Sequence, residues 1–172
     1  MANLRRLRRR RFPAVLPSLV SSFCGWLTAV GASVVAAEVL TVLGIPLGVG
    51  RNTDSSMDAE GALLLLTIHL LAFSFGGYIA GRAAPAAGAL SGLAVWGWSV
   101  LAAGAVAVIT LQMGDDRNVL AALNCFPRFP VGEGPLSPAT LITVVMLWIS
   151  ALIGAVAGGA RGSFAGARVP AV

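Results

Sequence analysis

Few residues in this chain can do chemistry, so they are quickly gathered. Glu38 and His69 are the two ionisable side chains that fall well inside long apolar stretches. A charge placed in hydrocarbon is costly, so an ionisable group at such depth calls for a partner or a function. Glu38 lies seven residues before Ile45 and His69 seven after Ala62. At about 1.5 Å per helical residue, both are expected about 10 Å in from the same membrane edge. They are therefore expected to meet, as an intramembrane polar pair that either ties two helices together or relays protons or cations, the remaining alternative being that they snorkel without contact.

The other candidates carry less. Asp54, Asp58 and Glu60 alternate as in a calcium loop, but Ala59 stands where that loop needs glycine and Leu65 where it needs glutamate. Ser55 or Ser56 capping a helix, with acids at the positive end of its dipole, accounts for the segment without a metal. Cys24 and Cys125 have neither metal spacing nor a disulfide framework, and both read as small apolar fillers. No nucleophile–base pair, phosphate loop or paired carboxylate appears, so no catalytic residue, metal or cofactor is assigned and the chain is not expected to be an enzyme.

What positions these residues is a bilayer. Of 172 residues, 57% are hydrophobic and only 11% charged, whereas a soluble domain carries about a quarter charged residues. Four segments are long enough to cross the hydrocarbon: 19–43, 62–80, 87–111 and 139–160. They lack the period-two alternation of barrel strands, which leaves helices. The expected fold is all-α, a polytopic membrane protein with four transmembrane helices in an antiparallel bundle of two hairpins. The domain layout is an Arg-rich segment 1–18, a membrane domain 19–160 with loops 44–61 and 112–138, and a tail 161–172. Within the second loop a short helix from Asp116 to Leu123 is expected, and Phe126 and Phe129 are expected to lie on the membrane surface.

All twelve basic residues are arginine. Arg5, Arg6, Arg8, Arg9, Arg10, Arg11, Arg82, Arg161 and Arg168 thread to one side of the membrane, against Arg51, Arg117 and Arg128 on the other. The positive-inside rule then sets the topology, with both termini cytoplasmic and the protein multi-pass in the cell membrane. Arg82 marks a tight turn over 82–86. The N-terminal arginines are a match for anionic lipid headgroups rather than nucleic acid, since no soluble domain presents a basic face. Small residues let membrane helices approach closely, and the pairs Gly77/Gly81, Gly88/Gly92 and Gly154/Gly158 are read as helix-packing positions. That packing is within the bundle, or between copies in a homo-oligomer or larger membrane complex.

The run Gly76-Gly77-Tyr78-Ile79-Ala80-Gly81-Arg82, followed by Gly92-Leu93-Ala94-Val95-Trp96-Gly97-Trp98, resembles a family of small four-span integral membrane proteins of high-GC, actinobacterial-type bacteria. That family has no established function. The resemblance covers about two dozen residues, and Ala83-Ala84-Pro85 stands where more polar residues are expected. The reading is an integral membrane protein with a structural or accessory role, acting through helix–helix contacts. The alternative is a small proton- or cation-coupled transporter or channel using Glu38 and His69.

Overall fold

A computed structural model describes residues 15–45, 59–113, 129 and 138–166. They form four helices and, among the described residues, no strand: α1 Val15–Val42, α2 Ala59–Ala83, α3 Gly88–Met113 and α4 Pro138–Gly166. Each contains a window apolar and long enough to cross a membrane. The fold is an all-α bundle of four membrane-spanning helices.

The ends have local causes. Pro17 falls in the first turn of α1, where its missing N–H has no carbonyl to meet. The helix closes by a Schellman motif: Ile45 N donates to Leu40 O and Gly44 N to Thr41 O, both at 3.0 Å, with Gly44 at φ 75°. Glycine takes that φ at no steric cost. Between α2 and α3, Ala84 N still bonds Ala80 O at 3.1 Å, and Ala87 N closes on Ala84 O at 2.9 Å around Pro85. Arg82 therefore lies in the last turn of α2 and not in the connection itself. Likewise α4 runs on to Gly166, so Arg161 projects from a helix rather than from a tail.

The hairpins α1–α2 and α3–α4 are both formed, and a further contact joins them. The most extensive contact joins α2 to α4, which run parallel and are not consecutive. Side chains are nearly absent from this seam. A Cβ added at Gly154, Gly158 or Gly162 of α4 would run into the backbone of Leu70, Ser74 or Tyr78 respectively, and one added at Gly77 or Gly81 of α2 would run into Ala155 or Gly159. Glycines four apart on both helices thus let the two backbones touch, which is the attraction available where lipid is as apolar as any side chain. Helix α3 crosses α4 antiparallel through Gly88 and Gly92, which meet Ser163 and the Ala155 backbone. Helix α1 meets α2 where Gly25 faces Gly76 and Ala80. Between these contacts lies a small core of Ala29, Phe73, Ala80, Val95, Ala151 and Ala155, with Trp26 and Trp96 against it.

All six of these glycines sit at contacts within one chain, Gly77, Gly81, Gly154 and Gly158 in the α2–α4 seam and Gly88 and Gly92 in the α3–α4 seam. By contrast Gly31, Gly97 and Gly104 have nothing within 4 Å of a notional Cβ. This contrast yields a matched test. Gly77→Ile or Gly158→Ile is expected to lower unfolding free energy by about 3 kcal/mol or more, because overpacking against backbone cannot relax through a rotamer. Gly97→Ile, into open space, is expected to stay within about 1 kcal/mol of wild type. Unfolding in mixed micelles measures both. Equal effects at buried and open glycines would sink the account.

Candidate functional site

His69 sits in the third turn of α2 on the stripe Leu65, His69, Ala72 and Phe73, all of which are buried. Its side chain is 1% exposed. Nδ1 lies 2.9 Å from Leu65 O, one turn back on the same helix, so in that contact the ring donates from Nδ1. Its ring stacks on Phe73, with centroids 6.4 Å apart and planes at 11°.

Glu38 is placed differently. The contacts of Gly25 with Ala80 and of Gly76 with Ala29 set an antiparallel register, and in that register Glu38 comes level with Thr67, close to the height of His69. The two residues thus share a depth but not a face. The buried stripe of α1 is Ser22, Gly25, Ala29, Ser33 and Ala37. Glu38 is one residue beyond it, about 100° further round the helix, and is exposed. The structure thus shows one buried histidine and one exposed carboxylate.

Six hydroxyls in the spans are satisfied by their own helices, whereas Ser91 Oγ, Ser99 Oγ and Trp148 Nε1 are buried with no hydrogen-bond partner among the described residues. Ser22, Thr28, Ser33, Thr41, Thr67 and Ser163 each donate to a carbonyl three or four residues earlier, at 2.7–2.9 Å. Two bonds do cross between helices through tryptophan: Trp96 Nε1 donates to Trp148 O at 3.2 Å, and Trp98 Nε1 to Ser22 Oγ at 3.3 Å. A third crosses from Ser150 Oγ to Leu66 O at 2.8 Å. These bonds stitch α3 to α4, α3 to α1 and α4 to α2. Tryptophan therefore acts here as a mid-helix clasp, a role that an interfacial belt does not describe.

Two sequence expectations shift. Cys24 is exposed and not a buried filler. Phe129 is not simply laid on the membrane surface, since its ring stacks on Trp148 with centroids 5.4 Å apart and planes at 24°. Trp148 is seven residues inside the apolar span that begins at Leu141, or about 10 Å along α4. Cys125, Phe126, the capping serines Ser55 and Ser56, the stretch Asp116 to Leu123, Arg168 and the six N-terminal arginines lie outside the described residues. Among the described residues no three of His, Cys, Asp or Glu come together.

Four helices long and apolar enough to cross a membrane define a multi-pass membrane protein. Comparison of the chain with protein-family models, with curated proteins and with solved structures finds no match. Its class therefore rests on the spans and their packing alone.

The separation of Glu38 from His69 has a measurable consequence. His69→Ala is expected to destabilise the bundle by about 2 kcal/mol, through a cavity and a lost intrahelical bond. Glu38→Gln is expected to leave unfolding unchanged, and the double variant to be additive within about 0.5 kcal/mol. A double-mutant cycle in micelles measures this. A coupling well above that limit would mean that the two side chains interact after all.

Proposed function

We propose that this chain is an integral membrane protein with a structural or accessory role, acting through helix contacts within itself and with a larger membrane assembly. The observation that carries this reading is how the interior is filled. The closest helix contacts are made by glycine and alanine, with Phe73, Val95 and tryptophan filling the gaps, and six serine and threonine hydroxyls return to their own helices. Such an interior favours a fixed scaffold over a path for solutes. The outward faces of α3 and α4 meanwhile carry large apolar side chains such as Leu101, Ile109, Ile142 and Ile153, which suit lipid or another membrane helix.

The topology belongs to the same proposal. Nine arginines against three favour both termini in the cytoplasm of a cell membrane, with the 84–87 turn on that side and Cys125 outside. The resemblance to small four-span proteins of high-GC bacteria accords with this plan. A membrane-impermeant maleimide is expected to label Cys125 in intact cells and to spare a cysteine introduced by Ala86→Cys. The opposite pattern would invert the orientation.

The rival reading, proton- or cation-coupled transport, retains one supporting observation, the burial of His69 within a span. Reconstituted liposomes separate the two. The scaffold reading expects no pH-driven proton or cation flux above empty liposomes, together with migration as an assembly larger than one chain in native nanodiscs. Flux that His69→Asn abolishes in folded protein would overturn it.

A further inference from the structure

The seam between α2 and α4 ends, at the level of the 84–87 turn, between two arginines that, among the described residues, face no carboxylate. On α4, Gly159 and Ser163 face α3. Arg161 is two residues from each, about 200° round the helix, so it projects from the side of α4 away from α3. On α2, Gly81 faces α4 and Ala80 faces Gly25 of α1. Arg82 is about 200° from Ala80 and about 100° from Gly81, which places it on the outer side of the same seam. Both arginines are exposed. Their heights agree as well, because Gly81 lies against Gly159 and the backbone of Tyr78 and Arg82 against Gly162.

Three further features point to what lies between them. Arg82 Nη1 donates to Tyr78 OH at 3.3 Å, which leaves the phenol proton available to a second acceptor. All seven acidic residues fall at 38, 54, 58, 60, 115, 116 or 133, at the opposite ends of the helices or in the connections there. Arg82 and Arg161 make no ion pair among the described residues. Leading away from them into the membrane, Leu71 and Phe75 continue the stripe of Tyr78 and Arg82 along α2, exposed by 63% and 55%. Across the seam Gly158 has no side chain, and Ala157, one turn before Arg161, keeps that wall low. The result is a shallow apolar groove with a small-residue floor, ending in two guanidinium groups and a phenol.

We propose that this groove holds one anionic phospholipid, its phosphate between Arg82, Arg161 and Tyr78 and an acyl chain along Leu71 and Phe75. Guanidinium groups present paired N–H donors that match phosphate oxygens, and the unneutralised charge supplies the selection against zwitterionic lipid. The site is distinct from the diffuse attraction expected of the N-terminal arginines, because it has a fixed geometry and takes one molecule.

Native mass spectrometry of the detergent-solubilised full chain, titrated with phosphatidylglycerol or phosphatidylcholine, tests it. One phosphatidylglycerol is expected to bind in preference to phosphatidylcholine, and millimolar inorganic phosphate is expected not to displace it. Arg82→Gln with Arg161→Gln is expected to weaken that binding about 30-fold. Tyr78→Phe should weaken it less, and replacing the six N-terminal arginines by glutamine should leave it in place. Both arginines are exposed, so the double variant should keep the wild-type melting temperature in lipid-free detergent. If it does not, Arg82→Lys with Arg161→Lys, which keeps the charge and loses the forked donors, should still weaken binding. Undiminished phosphatidylglycerol binding in the folded glutamine variant, loss of it in the N-terminal variant, or equal binding of phosphatidylcholine would each overturn the proposal.

Discussion

The contact of α2 with α4, backbone on backbone, is the constraint from which the rest of the arrangement follows. In lipid the burial of apolar side chains no longer drives association, so a bundle of this composition must gain its attraction from proximity. Gly77 and Gly81 on one helix and Gly154, Gly158 and Gly162 on the other remove every side chain that would hold the axes apart. Once those two helices touch, α4 has one flank left for α3, which takes it through Gly88, Gly92 and Gly159. Helix α1 packs on α2 and α3 rather than displacing α4. The bulky residues are then confined to gaps that glycine does not close, with Phe73 and Val95 at the centre and Trp26 and Trp96 at its edge.

Close packing also explains how the few polar groups are handled. With helix axes so near, there is little room for long side chains to bridge them, and six hydroxyls bond back to their own helices. Of the bonds that cross, Ser150 Oγ to Leu66 O spans the close α2–α4 approach with a short side chain, and the other two use reach. Indole nitrogens of Trp96 and Trp98 stand far enough from their backbones to find Trp148 O and Ser22 Oγ on neighbouring helices.

Much of this was legible in the sequence, and the remainder was hidden for definable reasons. The four helices follow from hydropathy and length, and Gly44 before Pro46 marks the end of α1. The paired glycines lie at helix contacts, but spacing alone could not say which helix each would meet. Gly97 and Gly104 also lie on one face of α3, yet nothing approaches either. The preference for sequential hairpin neighbours concealed the α2–α4 seam, whose partners are separated by nearly eighty residues. Gly25 and Gly76 meet through the pairs Gly25/Ala29 and Gly76/Ala80, in which alanine takes the second small position and hides the motif from a search for paired glycines. Counting residues put Glu38 and His69 at one depth, and the register agrees. Counting carries no azimuth, and only the stripe ending at Ala37 shows that Glu38 is turned away.

The parallel, non-consecutive pairing of α2 with α4 also bears on how the chain is made. Helices enter the bilayer in order, and α2 arrives long before its main partner has been synthesised. Until then its glycine face has only lipid to touch, while α1 and α3 already occupy its other sides. The nascent three-helix intermediate is therefore open along one flank. Arrival of α4 closes the bundle in a single step, so a chain cut short before Pro138 would present to the membrane's quality-control machinery a surface that the finished protein never shows.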